Sequence, residues 1–235
     1  MARREIEIQR NIIEKSLMFL KDSFRKNRKA FLYSLGGALL AILFIIIGFL
    51  YYDMKATRDL VAFERALDEY QEITDDAERK ERVLKTVAEL DKLVASSHWG
   101  FVNEYGSYII GNLLYTENMF QEAKKYYLQF VDESPSSFFA PLALQQAARS
   151  AEMLGTVDEA LTLYQQLESE YGDSQFADHI YYNLGRIYGR RGDIFKAREY
   201  YNRVIISFPQ SLFSEKAKKN LFLLGATDTV QKGRN

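Results

Sequence analysis

The stretch YYNLGRIYGRRGDIFKAREYYNRVIISFP, Tyr181 to Pro209, reads as two helices joined by a tight turn. Gly192 falls where the first helix must end, because glycine takes the left-handed conformation there without a steric penalty. Pro209 stops the second helix, having no backbone N–H to donate and a ring that clashes with the preceding turn. Gly185 and Ala197 are small residues, one on each helix, and let the two helices approach closely. Tyr201 is then the bulky side chain that fills the space between adjacent units.

Outward from this stretch the same pattern recurs at an offset of 37 residues. Ala123, Ala160 and Ala197 fall in register, as do Tyr127, Tyr164 and Tyr201. The same offset aligns Gly111, Ala148 and Gly185, then Asn118, Gly155 and Gly192, then Pro135, Gly172 and Pro209. Five classes of position agreeing at one offset mark a solenoid of stacked supersecondary units. These positions and residue types resemble the tetratricopeptide repeat (TPR). The copy just quoted carries Tyr181, Leu184, Gly185, Tyr188, Gly192, Ala197, Tyr201 and Pro209. The copy at 104–140 keeps Ile110, Gly111, Leu114, Ala123, Tyr127 and Pro135, and the copy at 141–177 has Ala147, Ala148 and Ala151 in its first helix. The usual period of this repeat is about 34 residues. The additional residues follow the stop position, in Ser-Ser-Phe, Asp-Ser-Gln and Gln-Ser-Leu.

Upstream, residues 57–98 read as a degenerate unit: Glu81–Ser96 is amphipathic, and Leu90 and Leu93 fall 37 residues before Tyr127 and Phe130. Thr74–Arg82 reads as a polar insertion. Downstream, Ser214–Leu224 is expected to cap the last unit, since a solenoid must cover its terminal face. The polar stretch Thr227–Asn235 is expected to fray.

The run AFLYSLGGALLAILFIIIGFLYY, Ala30 to Tyr52, holds 23 residues without a charge. At the helical rise it extends roughly 34 Å, enough for a bilayer core of about 30 Å. Seven Lys/Arg lie in the 20 residues before it and three in the 20 after it. This bias predicts a cytoplasmic N-terminus and a main domain across the membrane. Tyr33, Tyr51 and Tyr52 fall near the two interfaces. The run is longer than a signal-peptide core and lacks a small-residue cleavage site in Asp53-Met54-Lys55-Ala56, so an uncleaved anchor is expected. In the preceding tail, Ile6, Ile13, Leu17, Leu20 and Phe24 recur at helical spacing among Lys and Arg, the pattern of a basic amphipathic helix for a leaflet or a partner. The expected organisation is therefore a tail at 1–29, a transmembrane helix at 30–52, a degenerate unit at 53–103, TPR units with a capping helix at 104–226, and a terminal tail at 227–235.

Composition narrows the function classes. Apolar residues make up 47% and aromatic residues 14%, which excludes a disordered chain. Three prolines and no sustained alternation of period two point to an all-α fold. The absence of cysteine excludes disulfides, thiolate catalysis and cysteine-held zinc. Residues 1–30 carry a net charge of +5 and the remainder −6, and an acidic main domain repels phosphates, so no nucleic-acid partner is expected. His98 and His179 lack metal-spaced companions, and no nucleophile elbow, phosphate loop or zinc-protease motif occurs. His98 lies in a helix-ending segment beside Trp99-Gly100, so a structural role is expected of it. Asp75-Asp76 and Glu168/Glu170 read as solvated carboxylates. No catalytic, cofactor-binding or metal site is expected, and no enzyme.

A TPR resemblance implies a binding face made by the first helices. In this register the face carries Tyr105, Tyr108, Asn112 and Tyr115, then Gln145, Arg149 and Glu152, then His179, Tyr182, Arg186 and Arg190. Tyrosine and arginine are enriched at binding hot spots, and the arginines point to a peptide with an acidic group. The same tyrosines could instead pack between helices, Tyr182 above all. Tyr108 stands where the carboxylate-clamp TPRs place a key lysine, so that specificity is not expected here.

The layout of tail, span and TPR units, with Ala62, Ala66, Tyr70, Gly106 and Leu113 after the span, is similar to the YfgM family of bacterial inner-membrane proteins. That resemblance implies an ancillary subunit of the SecYEG translocon, with translocon subunits and periplasmic chaperones as partners. The well-kept prolines and tyrosines of the repeats look more like Tol-Pal-associated TPR proteins, which implies envelope proteins as partners and an organising role in envelope assembly or division.

Overall fold

The computed structural model describes residues 28–71 and 76–232, with scattered positions between Glu14 and Arg25. The tail residues Ile6, Ile13, Leu17, Leu20 and Phe24 lie outside the described residues, as do Thr74, Asp75 and the last three residues. Among the described residues the chain forms nine helices and no strand. The chain divides into two compact units, Met1–Thr57 and Arg58–Asn235.

The described part of the first unit is mostly the N-terminal portion of α1 (Arg28–Gln71). By length and composition α1 is able to cross a membrane, and no part of its apolar window is buried. Phe44, Ile45 and Phe49 are all more than 60% exposed, so this apolar surface has no partner among the described residues. The helix does not end with the uncharged run at Tyr52. No Gly or Pro interrupts Asp53–Gln71, and backbone helix bonding continues through it.

The second unit is an all-α solenoid. From Arg58 onward α1 buries Phe63, Ala66 and Tyr70 together with Val83 and Leu90 of α2 (Asp76–Ser96). The polar insertion expected over Thr74–Arg82 is therefore helical from Asp76. Its Arg79 donates from Nε to Glu117 Oε2 at 3.0 Å, and Tyr70 donates its hydroxyl to the same carboxylate. Three helix pairs follow: α3 (Phe101–Thr116) with α4 (Phe120–Glu133), α5 (Ala140–Met153) with α6 (Val157–Tyr171), and α7 (Ala177–Arg191) with α8 (Ile194–Ser207). From α2 onward each helix packs on its neighbour in sequence, so the core is one continuous strip of buried residues.

The repeat positions behave as their chemistry requires. Asn118, Gly155 and Gly192 have φ of 59°, 78° and 88°, the left-handed conformation that closes a first helix. A Cβ on Gly111 would stand 2.8 Å from the Tyr127 ring, and one on Gly185 would stand 2.7 Å from the Tyr201 ring. The repeat tyrosines thus fill the gap inside their own unit, against its small residue. The Tyr164 and Tyr201 hydroxyls also reach the following helix, accepting from Arg186 Nη2 at 3.0 Å and from Asn220 Nδ2 at 3.1 Å.

The residues added after each stop position form a serine turn. The hydroxyls of Ser137, Ser174 and Ser211 accept from the backbone N–H of Phe139, Phe176 and Phe213 at 3.3, 3.2 and 3.0 Å. Each turn delivers a phenylalanine to the junction between units. Phe139 meets Tyr105 and Tyr108, and Phe213 meets Tyr182.

Helix α9 (Leu212–Lys232) packs on both α7 and α8, as a cap must. It continues to Lys232, past the Thr227 at which fraying was expected. Phe222 stands 37 residues after Gly185 and is 77% exposed. The small-residue position of the repeat is therefore a phenylalanine here.

Candidate binding groove

Seven of the predicted face residues line one cavity of about 420 Å³: Tyr115 from α3, Arg149 and Glu152 from α5, and His179, Tyr182, Arg186 and Arg190 from α7. Met153, Asn183, Phe213 and Lys216 complete its lining, the last two from α9. The groove therefore runs across four successive first helices. The other four predicted residues lie elsewhere. Tyr105 and Tyr108 pack against Phe130 and Phe139, Gln145 is buried, and Asn112 Oδ1 accepts from the Tyr127 hydroxyl at 2.8 Å. The Tyr105 and Tyr108 rings are thus packed against neighbouring aromatic side chains.

The floor of the groove is a charged network. Glu152 is 8% exposed, and its oxygens accept from Arg186 Nη1 and Nη2 at 2.5 and 2.6 Å. Arg190 Nη1 and the Tyr164 hydroxyl, the latter at 2.8 Å, donate to the same carboxylate. Burial raises the Glu152 pKa, but Arg186, Tyr164 and Arg190 outweigh it and hold the carboxyl below the usual value. Burial likewise opposes the charge on Arg186, and the carboxylate overcomes it.

Among the described residues two cations in the groove lack an acidic partner. Arg149 donates from Nη1 to Gln146 Oε1 at 3.2 Å and lies over the Tyr115 ring. Lys216 lies over the Phe213 ring. Four cations thus face one carboxylate, although the domain as a whole is acidic. His179 stacks on Phe213 with ring centroids 4.2 Å apart. Burial pushes its imidazole pKa down to about 4; Asp178 opposes this, while Arg149, Lys216 and Arg186 add to it.

Asn183 lies at the groove floor, 5% exposed, with its Oδ1 accepting from Arg186 Nη2 at 3.3 Å. Its Nδ2 is buried and has no acceptor among the described residues. Asn183, Phe213 and Lys216 were not predicted. Asn183 is legible as one position before the paired Leu184-Gly185, but Phe213 and Lys216 belong to a helix read only as a cap.

A larger groove, about 920 Å³, lies at the turns joining α2 to α3 and α4 to α5 and includes Asp91, His98, Trp99, Glu104 and Glu133. Trp99 is 60% exposed there, in the segment between the end of α2 and the start of α3. Size alone favours this groove. The smaller one gathers side chains from more elements and carries the unpaired cations and the unsatisfied amide, so it is the better candidate. Among the described residues no group of three or more His, Asp or Glu gathers to hold a metal ion.

The tetratricopeptide repeat family profile matches residues 105–137, 142–174 and 180–211. These three segments are similar to the tetratricopeptide repeat. The TPR segment has the fold of solved structures at low identity. MamA from Desulfovibrio magneticus RS-1 superposes with a TM-score of 0.53 at 15% identity, covering 76% of this chain and 88% of that one. A TPR-like kinesin light chain from Podosopora anserina gives 0.53 at 16% identity, covering 76% and 90%. A comparison with curated proteins returns no match. The profile match is to an interaction repeat and not to a catalytic family.

Proposed function

We propose that this protein is a membrane-anchored TPR scaffold whose groove captures protein partners on the periplasmic face of a bacterial inner membrane. The observation that carries the reading is the cationic, aromatic-walled groove crossing α3, α5, α7 and α9. Rigid aromatic and arginine side chains around a polar floor are the features of peptide hot spots. The span is Ala30–Tyr52 within α1, and the flanking charge bias supports a cytoplasmic N-terminus. The similarity of layout to the YfgM family supports an ancillary role at the SecYEG translocon, joining emerging proteins to periplasmic chaperones.

A second reading follows from the well-kept repeats, with tyrosine at 127, 164 and 201 and proline at 135 and 209. It makes the protein an organiser of envelope assembly or division, similar to Tol-Pal-associated factors. Crosslinking in intact membranes followed by affinity purification separates the two. Translocon subunits and chaperones support the first, division proteins the second. Recovery of neither, with the protein correctly inserted, overturns the scaffold reading.

A further inference from the structure

The turns between units carry aromatic residues outward as well as inward. Phe139 enters its junction, while Phe138 beside it is exposed. Phe101, Phe138 and Leu212 share one register, 37 and 74 residues apart, and all three are exposed; Gln175 interrupts the row. Trp99, the single tryptophan of the chain, stands two residues before Phe101 and is exposed too. These rings are held in place. Phe101 packs on Tyr105 with centroids 5.1 Å apart, and Phe138 meets Phe176 edgewise at 5.4 Å. Exposed apolar residues gathered at one edge mark a contact surface, and tryptophan is enriched where water meets lipid.

We propose that the turn edge formed by Trp99, Phe101 and Phe138 lies in the headgroup interface of a zwitterionic bilayer, as a second lipid contact besides the α1 span. This rests on the membrane-anchor reading above and goes beyond it. The Ser97 hydroxyl, two residues before Trp99, donates to Asp59 Oδ2 at 2.6 Å, and Asn103 Nδ2 donates to the Ser97 carbonyl at 3.2 Å. The turn is thus fastened to Asp59. Seven residues of chain lead from Tyr52 to Asp59. They reach about 10 Å as helix and no more than about 25 Å at full extension, so the covalent tether alone keeps this turn close to the end of the apolar run. The adjoining groove carries Asp91, Glu104 and Glu133 and, among the described residues, no lysine or arginine. Attraction to anionic lipid takes Lys and Arg, so burial of aromatic surface is the driving force here.

The test uses the full chain in phosphatidylcholine liposomes, with Trp99 as its own fluorescent probe. Lipids brominated near the top of the acyl chain quench an indole at the interface. Loss of about half or more of the Trp99 emission is expected, with a blue shift from the water-exposed position. Phe101→Ser with Phe138→Ser should reduce the quenching about twofold or more while the melting temperature is maintained, since both rings are exposed. Phe195→Ser changes an exposed phenylalanine at the Gly192 turn, within a unit, and should leave the quenching unchanged. Replacing part of the phosphatidylcholine with phosphatidylglycerol should not strengthen it. Flotation after an alkaline wash reads the anchor separately. An anchored chain whose Trp99 stays unquenched overturns this inference alone and leaves the edge to a protein partner. Quenching that the double serine variant keeps in full, or that requires anionic lipid, overturns it as well. A chain stripped from the liposomes by alkali overturns the anchor reading and this inference with it.

Discussion

Glu152 receives both terminal nitrogens of Arg186, at 2.5 and 2.6 Å, across the junction of two repeats. The carboxylate is buried in α5 and the guanidinium comes from α7, so the pair links two units through their first helices. Breaking a buried pair by deleting one partner strands the other charge. Glu152→Ala should lower unfolding stability by about 2 kcal/mol, less than a fully buried pair because Arg186 retains some solvent. Glu152→Ala with Arg186→Met should recover part of that loss. A double-mutant cycle by urea denaturation checks both.

The repeat glycines divide by mechanism. At Gly185 an added Cβ collides with the Tyr201 ring, so Gly185→Ala should cost about 1–3 kcal/mol by overpacking. Tyr201→Leu in the same chain should relieve much of it. Thermal melts of the single and double variants decide this.

Gly155 faces open space but holds φ at 78°. Gly155→Ala should therefore cost about 1 kcal/mol through backbone strain. Gly155→Asn should cost less, because Asn118 already holds φ of 59° at the equivalent turn. The ordering of the two melting temperatures is the measurement.

Acid should destabilise the solenoid in two windows. The unfolded His179 binds a proton near its ordinary value of 6.5, while the folded one refuses it down to about 4. Stability therefore falls as pH falls from about 6.5 to about 4, then levels for this group. Glu152 has a folded pKa below its ordinary 4.5, so its contribution is present above that value and is lost as pH falls through the lower folded one. His179→Phe, which keeps the stack on Phe213, should flatten the upper window. Chemical denaturation at a series of pH values reads the slopes.

Removing a junction phenylalanine should separate packing from turn formation. Phe213→Ala deletes the partner of both His179 and Tyr182 and should cost about 3 kcal/mol or less, since the ring is only partly buried. Ser211→Ala removes the acceptor for the Phe213 N–H and should cost nearer 1 kcal/mol. Thermal unfolding of each variant distinguishes them.

Periodicity made the solenoid legible. A unit that recurs every 37 residues must place the same side chain in the same local environment, so Gly192, Gly185 and Tyr201 announce a turn, a close approach and a filler. The apolar run at 30–52 was equally plain, because length and the absence of charge are local properties. The face register was legible as well, and it picked out seven of the groove residues. Sequence could not decide which of them were free. Tyr108 and Tyr115 share a helix and a register, yet one packs under Phe139 while the other lines the groove beneath Arg149. Arg149 and Arg186 fall 37 residues apart and look alike in sequence, but only Arg186 finds Glu152. The local pattern of this chain determined its helices, turns and repeat. Which charges were neutralised and which rings were packed away were settled only by tertiary structure, because they depend on contacts between units at distances the repeat pattern does not encode.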